Sequence, residues 1–323
     1  MVRVGIVGTG FGARVVAPAY ADAGMDVVDV VSPRDDGAVA DLCRRDVDLI
    51  SIHSPPFMHT THVAWALDAG RAVLCDKPFG RSTAESEAMV EAARQAGAVN
   101  LLNFEFRHEP ARVRVKELLD AGAIGTPEHL QWTAITSGSR VPLRRHGWLF
   151  ERGPGGGWIG AWGSHAIDTV RWLLGEITAA GAHCQTIITA RTDREGVVQP
   201  CDAEDAFTAW MTVEGGATVG IDTSFAAAAT LPTHVVVCGS EGTIDITNDH
   251  RIVLRRSDGT KEEIELPPRT GDPHAGALGG WAAVVRDAVA EGRQVAPSFA
   301  DGLACARVMD ALRSGWAGTP LSS

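Results

Sequence analysis

The chain has no run of about 18 apolar residues, no C-x-x-C cysteine pair and no long basic stretch. We therefore expect no membrane-spanning helix. The segment MVRVGIVGTGFG reaches its glycines too early for the apolar core of a signal peptide, so it is predicted to be a first β-strand. The six cysteines are scattered, which argues against a zinc or other metal site and for a reducing, cytoplasmic location. A net charge of −11 argues against nucleic acid as a partner.

What the chain does have is an ordinary globular composition, with 45% hydrophobic and 21% charged residues over 323 positions. This length predicts two domains of roughly 150 residues each. Over the first 100 residues, short β-branched runs alternate with helical stretches, such as 59–69 and 83–96, that stop at a glycine. Strands separated by such helices predict right-handed βαβ units, and hence an α/β domain with a doubly wound parallel sheet over residues 1–125.

The pattern changes after the segment AGAIGTPEHL. One helix (164–174) is followed by several strand candidates joined by VEGGAT, GSEGT and RSDGT, which fit hairpin turns. Residues 126–323 are therefore predicted to form an α+β domain with a large open, mostly antiparallel sheet. Helices near 278–291 and 300–314 are predicted to close it.

The first strand leads into a glycine pattern. Gly8, Gly10 and Ala13 form G-x-G-x-x-A between a strand and a helix, which is the context of the dinucleotide fingerprint. Gly8 allows the tight turn, Gly10 lets a pyrophosphate approach the backbone, and Ala13 lets the helix pack near the strand. The alternative is a plain turn. At the first of five βα units, the pattern predicts a dinucleotide-binding Rossmann domain.

The end of the second strand predicts which dinucleotide binds. A carboxylate at this point would bind the ribose 2′-hydroxyl, but Asp29 lies inside the strand, and Ser32 and Arg34 follow it. A hydroxyl with a guanidinium suits a 2′-phosphate better than a bare ribose. We therefore expect NADP in preference to NAD, although Arg34 also fits a solvated loop arginine.

The fourth strand ends in Asp76-Lys77-Pro78. Functional groups of a doubly wound sheet lie outside the carboxyl ends of its strands. A lysine near an oxidised nicotinamide and partly buried would have a lowered pKa, which suits a general acid/base. The alternative is a strand-end lysine paired with Asp76. His59, at a helix start after the third strand, fits a hydrogen-bonding group better than a catalyst.

Several motifs together, in this order and spacing, resemble the glucose–fructose oxidoreductase / inositol dehydrogenase (Gfo/Idh/MocA) family. They are the loop from Gly8 to Ala13, the segment from Ser54 to His59, Asp76-Lys77-Pro78, NFEFRHEPA (103–111) and GGGWIGAWGSHAIDTVRWLLG (155–175). The closing DGLACARVMDALRSGWAGTPL is similar too, so the resemblance covers essentially the whole chain.

The resemblance implies an NAD(P)-dependent oxidoreductase acting on a sugar, cyclitol or related polyol. It also implies a homodimer or homotetramer, since many members associate through the open sheet face. Lys77 matches the family's catalytic lysine. The expected cofactor contacts are Gly8, Gly10, Phe11, Gly12, Ala13, Ser32, Arg34, Ser54, Pro55, His59, Asp76 and Lys77.

The chain departs from the family pattern at three positions. Asp76 replaces a glutamate, and Pro56 replaces an asparagine whose side-chain hydrogen bonds it cannot make. In the segment 155–175, Ala161 stands where the family has an aspartate that often pairs with a catalytic histidine. The histidine itself remains as His165.

Helical geometry favours a site role for His165. At about 100° per residue, the apolar residues of helix 164–174 form one stripe and His165 lies on the opposite side with Asp168. Near the helix N-terminus the protonated imidazole is disfavoured, which leaves a neutral ring to bind a substrate oxygen. Trp158 and Trp162 fit sugar-ring contacts as well as core packing. The candidate substrate contacts are Trp158, Trp162, Asp168 and Arg107.

Three hypotheses follow. The first is a hydride-transferring sugar or polyol dehydrogenase in which Lys77 exchanges the proton and His165 orients the oxygen. The second is a glycoside-cleaving enzyme that oxidises its substrate transiently with a tightly held cofactor. The third is a catalytically silent NADP-binding regulator, which the substitutions at Ala161, Pro56 and Asp76 would permit.

Overall fold

The computed structural model describes residues 1–267 and 271–315. They form two compact units. The first contains residues 1–109, 153–155 and 271–307, and the second contains residues 110–152, 156–267 and 308–315. This division differs from the predicted boundary at residue 125, because 110–125 belong to the second unit and 271–307 to the first.

The elements are numbered along the chain. The α-helices within the described residues are Ala17–Asp22 (α1), Asp36–Arg44 (α2), Pro56–Asp68 (α3), Thr83–Ala96 (α4), Pro110–Asp120 (α5), Ser164–Leu174 (α6), Ala275–Glu291 (α7) and Phe299–Arg313 (α8). The strands are Arg3–Val7 (β1), Asp26–Val31 (β2), Leu49–Ile52 (β3), Ala72–Cys75 (β4), Asn100–Leu102 (β5), Pro127–Ile135 (β6), Ile177–Gln185 (β7), Ala190–Thr192 (β8), Val198–Pro200 (β9), Ala206–Val213 (β10), Thr218–Ser224 (β11), His234–Gly239 (β12), Gly242–Thr247 (β13), Arg251–Arg256 (β14) and Lys261–Glu265 (β15).

The first unit contains a five-stranded parallel sheet in the order β2-β1-β3-β4-β5. The predicted doubly wound sheet is therefore confirmed. The strand order reverses at β1, so a crevice opens beyond the carboxyl ends of β1 and β3, where such sheets bind ligands. Ser82 accepts a hydrogen bond from the Glu85 amide and so caps the N-terminus of α4.

Helix α7 completes the core of this first unit. Leu278, Trp281 and Val285 are at most 1% exposed and pack in one cluster with apolar residues of β1 and with Tyr20 of α1. The sequence assigned this helix to the second domain, but its apolar face is used by the first unit.

The second unit contains an eight-stranded sheet in the order β15-β14-β13-β12-β6-β11-β10-β7. Its neighbouring strands are antiparallel except for β6 and β11, so the predicted mostly antiparallel sheet is confirmed. The VEGGAT, GSEGT and RSDGT segments join antiparallel neighbours, as predicted. Within residues 1–267 and 271–315, no helix combines the length and the apolar run that a bilayer crossing requires.

Candidate active site

The glycine loop follows β1 at the carboxyl edge of the parallel sheet. Gly8 has φ +150°, and a Cβ there would stand 2.9 Å from the carbonyl oxygen of His53. A Cβ on Gly12 would stand 3.0 Å from the Ile6 side chain. At Gly10, by contrast, no heavy atom of the described residues beyond its chain neighbours lies within 4 Å of a Cβ. Gly8 and Gly12 thus lie close to neighbouring residues, while the space beside Gly10 is open.

A helical segment begins directly after this open space. Phe11 already has helical dihedral angles, a π-helical turn spans Gly12–Val16, and α1 continues it. Ala13 lies in the π-helical turn. The first amides of a helix lack intrahelical acceptors and carry partial positive charge, which favours a pyrophosphate. The open side of Gly10 and this helix start therefore fit a dinucleotide.

Ser32 and Arg34 follow β2, as the sequence indicates. The Ser32 Oγ accepts a hydrogen bond from the Arg34 amide (3.3 Å), and the Arg34 side chain is exposed. Asp29 pairs with Arg45 at 2.6 Å, and this hydrogen bond holds the pKa of Asp29 below its usual range. Asp35 caps α2 by accepting from the Ala38 amide.

His59 links the loop after β3 to the loop after β4. Its Nε2 lies 2.8 Å from the Ser54 carbonyl oxygen and its Nδ1 lies 3.0 Å from the Phe79 carbonyl oxygen. The ring is fully buried, and burial lowers its pKa. Pro55 and Pro56 begin α3, where a proline at the first helical position suits the missing N–H. In this arrangement His59 is a hydrogen-bonding residue that holds the two loops together.

Asp76 and Lys77 leave β4 beside the glycine loop. The Asp76 Oδ1 accepts from the Lys77 amide (2.9 Å) and from the Asn103 Nδ2 (3.3 Å), and Oδ2 lies 3.1 Å from the His53 Nδ1. Burial opposes the charged carboxylate, but the His53 hydrogen bond and the Lys77 charge outweigh it, so the pKa of Asp76 lies well below its usual range.

Two residues of this arrangement, His53 and Asn103, were missed from the sequence. Each directly follows a parallel strand, β3 or β5, just as Asp76 follows β4. A polar residue at the carboxyl end of every neighbouring strand is the signal that would have indicated both.

Arg107 lies in the first unit, and its partner there differs from the predicted substrate. Its guanidinium donates to the Asp301 carboxylate at 2.8 Å, and the two side chains are only 10% and 16% exposed. This largely buried ion pair holds the Arg107 side chain within the unit, and its contact with a substrate stays a prediction.

The helix that carries His165 and Asp168 lies in the second unit and has the predicted bounds. The position of His165 in this helix and the burial of the helix's polar side both differ from the predictions. A π-helical turn (Ile159–Gly163) precedes α6, so His165 lies more than a turn from the helix start, where the dipole effect is weak. The polar side of the helix is also buried, since His165 is 3% and Asp168 2% exposed.

Trp158 and Trp162 form an aromatic cluster within the second unit. Trp158 stacks on Phe225 with centroids 4.2 Å apart and lies parallel to Trp162 at 5.8 Å. The Trp158 Nε1 donates to the Thr223 Oγ1, and Trp162 meets Trp132 edge-on. Both indoles are half-buried, so packing within the unit uses much of their surface.

Two family models match this chain. Residues 2–104 match "Oxidoreductase family, NAD-binding Rossmann fold", and residues 113–245 match "GFO/IDH/MocA C-terminal domain". The dTDP-3,4-didehydro-2,6-dideoxy-alpha-D-glucose 3-reductase of Streptomyces violaceoruber is 30% identical over 263 residues, which cover 78% of this chain and 71% of that one.

Two further relatives are dehydrogenases. Levoglucosan dehydrogenase of Pseudarthrobacter phenanthrenivorans is 28% identical over 307 residues, covering 83% and 77% of the two chains. Inositol 2-dehydrogenase 3 of Saccharopolyspora erythraea is 29% identical over 339 residues, covering 97% and 94%.

The fold agrees with a solved structure. Levoglucosan dehydrogenase in complex with NADH and levoglucosan superposes with a TM-score of 0.86 over 97% of this chain and 96% of that one, at 24% identity. With the nucleotide loop and the strand-end lysine in place, the matches identify this chain as an NAD-binding oxidoreductase of the Gfo/Idh/MocA family.

Proposed function

We propose that this enzyme moves a hydride between a nicotinamide dinucleotide and a CH–OH carbon of a sugar, cyclitol or related polyol. The observation that carries the proposal is the Asp76-Lys77 pair, held beside the glycine loop at the carboxyl edge of one sheet. The relatives named for levoglucosan, inositol and a deoxyhexose derivative support this substrate class.

The proposed roles divide between two side chains. The nicotinamide supplies or accepts the hydride when bound. Lys77 exchanges the proton on the substrate oxygen, and Asp76 orients the lysine through its amide. His165 hydrogen-bonds a substrate oxygen. Because Ala161 stands where the family pattern has an aspartate, Lys77 carries more of the proton transfer than the lysine of a member that keeps the pair. Trp158, Trp162, Asp168 and Arg107 remain candidate substrate contacts.

The test is reduction of the dinucleotide, followed by absorbance, with levoglucosan and myo-inositol as substrates. Lys77→Met should lower kcat by roughly 10²–10⁴-fold while cofactor binding persists. Lys116→Met is the matched control, because Lys116 pairs with Asp120 on α5. Full turnover by Lys77→Met would refute the role. Glycoside cleavage without net reduction would favour transient oxidation, and tight binding without any turnover would favour a silent regulator.

We also propose a preference for NADP. Ser32 and Arg34 follow β2, while the nearby carboxylates of Asp29 and Asp35 are engaged with Arg45 and the Ala38 amide. A guanidinium with a neighbouring hydroxyl suits the 2′-phosphate. Titration of both cofactors tests this, and tighter binding of NAD would overturn it. Arg34→Ala should weaken binding of NADP but not of NAD.

Finally, we propose a cytoplasmic homodimer or homotetramer. The scattered cysteines support the location. The open face of the eight-stranded sheet supports the assembly, because Trp210 of β10 is 42% exposed there. Light scattering after gel filtration should give a multiple of the chain mass, and Trp210→Glu should shift it toward the single chain.

A further inference from the structure

A line of buried polar side chains crosses the core of the first unit. The Tyr20 hydroxyl lies 2.9 Å from the Ser51 Oγ, the Ser51 Oγ lies 2.8 Å from the His53 Nε2, and the His53 Nδ1 lies 3.1 Å from the Asp76 Oδ2. Tyr20 and Ser51 are at most 1% exposed, and the His53 side chain is fully buried. Polar groups in a core are costly unless each is hydrogen-bonded, and each member of this line is.

The carboxylate at its end fixes the direction of the hydrogen bond between Asp76 and His53. An ionised Asp76 only accepts, so the His53 Nδ1 carries the hydrogen that it donates to Oδ2. The other ring nitrogen, Nε2, shares a hydrogen bond with the Ser51 hydroxyl, which in turn shares one with the Tyr20 hydroxyl. Burial raises the pKa of Tyr20, so its phenol stays protonated in this line.

The other carboxylate oxygen of Asp76, Oδ1, connects this line to Lys77, the candidate catalytic residue. Oδ1 accepts from the Lys77 amide, so a carboxylate held at Oδ2 by His53 also fixes the backbone of Lys77. His53 itself lies under the glycine loop, because Gly8 and Gly12 both approach it and the Phe11 ring meets it edge-on at 5.8 Å. The His53 imidazole thus contacts both the glycine loop and Asp76, whose carboxylate binds the Lys77 amide.

We propose that His53 is a positioning residue for the hydride-transfer reaction. By holding the Asp76 carboxylate, it sets the orientation of Lys77 relative to the glycine loop. The inference rests on the proposed role of Lys77 in proton exchange. A misplacement of about 1 Å at a reacting group can cost roughly 10²-fold in rate, so the hydrogen bond from His53 acts on kcat more than on cofactor affinity.

Two substitutions separate the hydrogen bond from packing. His53→Phe keeps a ring of similar size but cannot donate, whereas the amide of His53→Asn can reach the Nδ1 position. We expect His53→Phe to lose roughly 10²-fold in kcat, with the Kd for NADPH changed by less than about threefold. His53→Asn should recover most of kcat. Wild-type kcat in His53→Phe, or an equal loss in both variants, would overturn the proposal.

A second readout needs no substrate. The chain has only three lysines (Lys77, Lys116 and Lys261), so ¹⁵N-lysine labelling of the full-length protein gives three backbone amide signals. Lys77→Arg assigns the Lys77 signal by its loss. His53→Phe should shift this signal and leave the other two in place, and His53→Asn should leave it near its wild-type position. An unmoved Lys77 amide in His53→Phe would overturn the inference.

These two readouts distinguish the inference from the proposed function. If the wild type turns over no polyol, the proposed function fails, and the amide shift alone decides the role of His53. If His53→Phe does not fold by circular dichroism, His53→Gln replaces it, because its longer amide does not reach Asp76 from the Nδ1 position. A wild-type Lys77 amide in that variant counts against the inference in the same way.

Discussion

Gly8 and Gly10 stand two residues apart in the glycine loop, but their surroundings differ. Gly8 has a positive φ and faces the backbone of His53, whereas the Cβ position of Gly10 has no neighbour among the described residues. A side chain at Gly8 therefore strains the folded protein, and one at Gly10 occupies space that a pyrophosphate needs.

Alanine at these two glycines should separate folding from cofactor binding. Gly8→Ala should lower the free energy of unfolding by roughly 1–3 kcal/mol, because it adds backbone strain and a close contact. Gly10→Ala should change it by less than about 0.5 kcal/mol, yet weaken NADPH binding by roughly tenfold or more, a loss of about 1.4 kcal/mol. Thermal melts and fluorescence titrations measure the two effects. Equal behaviour of the two variants would contradict this assignment.

The histidines of α3 should make stability depend on pH. Burial lowers the pKa of His62 from 6.5 to about 4, and its Nδ1 lies 3.0 Å from the Ser54 Oγ. As the pH falls, the unfolded chain binds a proton at His62 before the folded chain does. The contribution of neutral His62 to the free energy of unfolding is therefore fully present above the unfolded pKa, and it is lost as the pH falls from about 6.5 toward 4.

Between pH 7 and 5, His62 should account for a loss of about 2 kcal/mol in the free energy of unfolding. His62→Gln should remove this part of the dependence of the free energy of unfolding on pH. The part that comes from His59 and His108, whose pKa values burial also lowers, should remain. Urea unfolding at pH 7, 6 and 5 measures it. A slope identical to that of the wild type would contradict the prediction.

At the scale of elements, α6 illustrates what periodicity can and cannot predict. The sequence predicted its bounds, because Ser164–Leu174 carries a clear apolar stripe and ends at Gly175. It could not predict that the polar side is also buried, because periodicity identifies apolar positions and not what covers the others. The pairing of His53 with Asp76 was missed for a related reason. The two residues are 23 positions apart and meet only through the register of β3 and β4.

The helical start before α6 depends on a buried carboxylate. The Glu204 Oε1 accepts from the Ile159 amide at 3.2 Å and pairs with Arg313 at 3.2 Å, and its carbonyl accepts from the Trp158 amide. Arg313 in turn donates to the Gly156 carbonyl oxygen. One acidic side chain, 2% exposed, thus stabilises the start of the segment that leads to His165.

Removing this carboxylate should be costly. Glu204→Ala should lower the free energy of unfolding by about 3–5 kcal/mol, because Arg313 then lacks its buried partner. The double variant with Arg313→Ala should lose less than the sum of the two single variants. Glu176→Ala is the control at the other end of α6. Glu176 is 55% exposed, and its removal leaves the Arg171 guanidinium 3.9 Å from Asp168, so the loss should be at most about 1 kcal/mol. Urea unfolding compares them, and similar losses in Glu204→Ala and Glu176→Ala would contradict the prediction.

At the scale of the whole molecule, the order of elements along the chain misleads about domains. Local patterns predicted both sheets and the late helices, but α7 packs with β1 and α1, more than 250 positions earlier in the sequence. Alternation of strands and helices describes neighbours along the chain. It contains no information about a helix that returns to the first unit after the second sheet is complete.

A fragment ending at residue 125 should therefore not fold cooperatively. It lacks Leu278, Trp281 and Val285, which the first unit buries completely and which each contribute roughly 1.5–3 kcal/mol, against a stability of about 5–15 kcal/mol for a typical domain. Joining residues 1–109 to 271–307 through a flexible linker should restore a cooperative thermal transition and NADPH binding. Trp281→Ala in the joined fragment should abolish the transition again. A cooperative transition in fragment 1–125 alone would mean that the parallel sheet and helices α1 to α5 suffice, and that α7 adds to a core that is already complete.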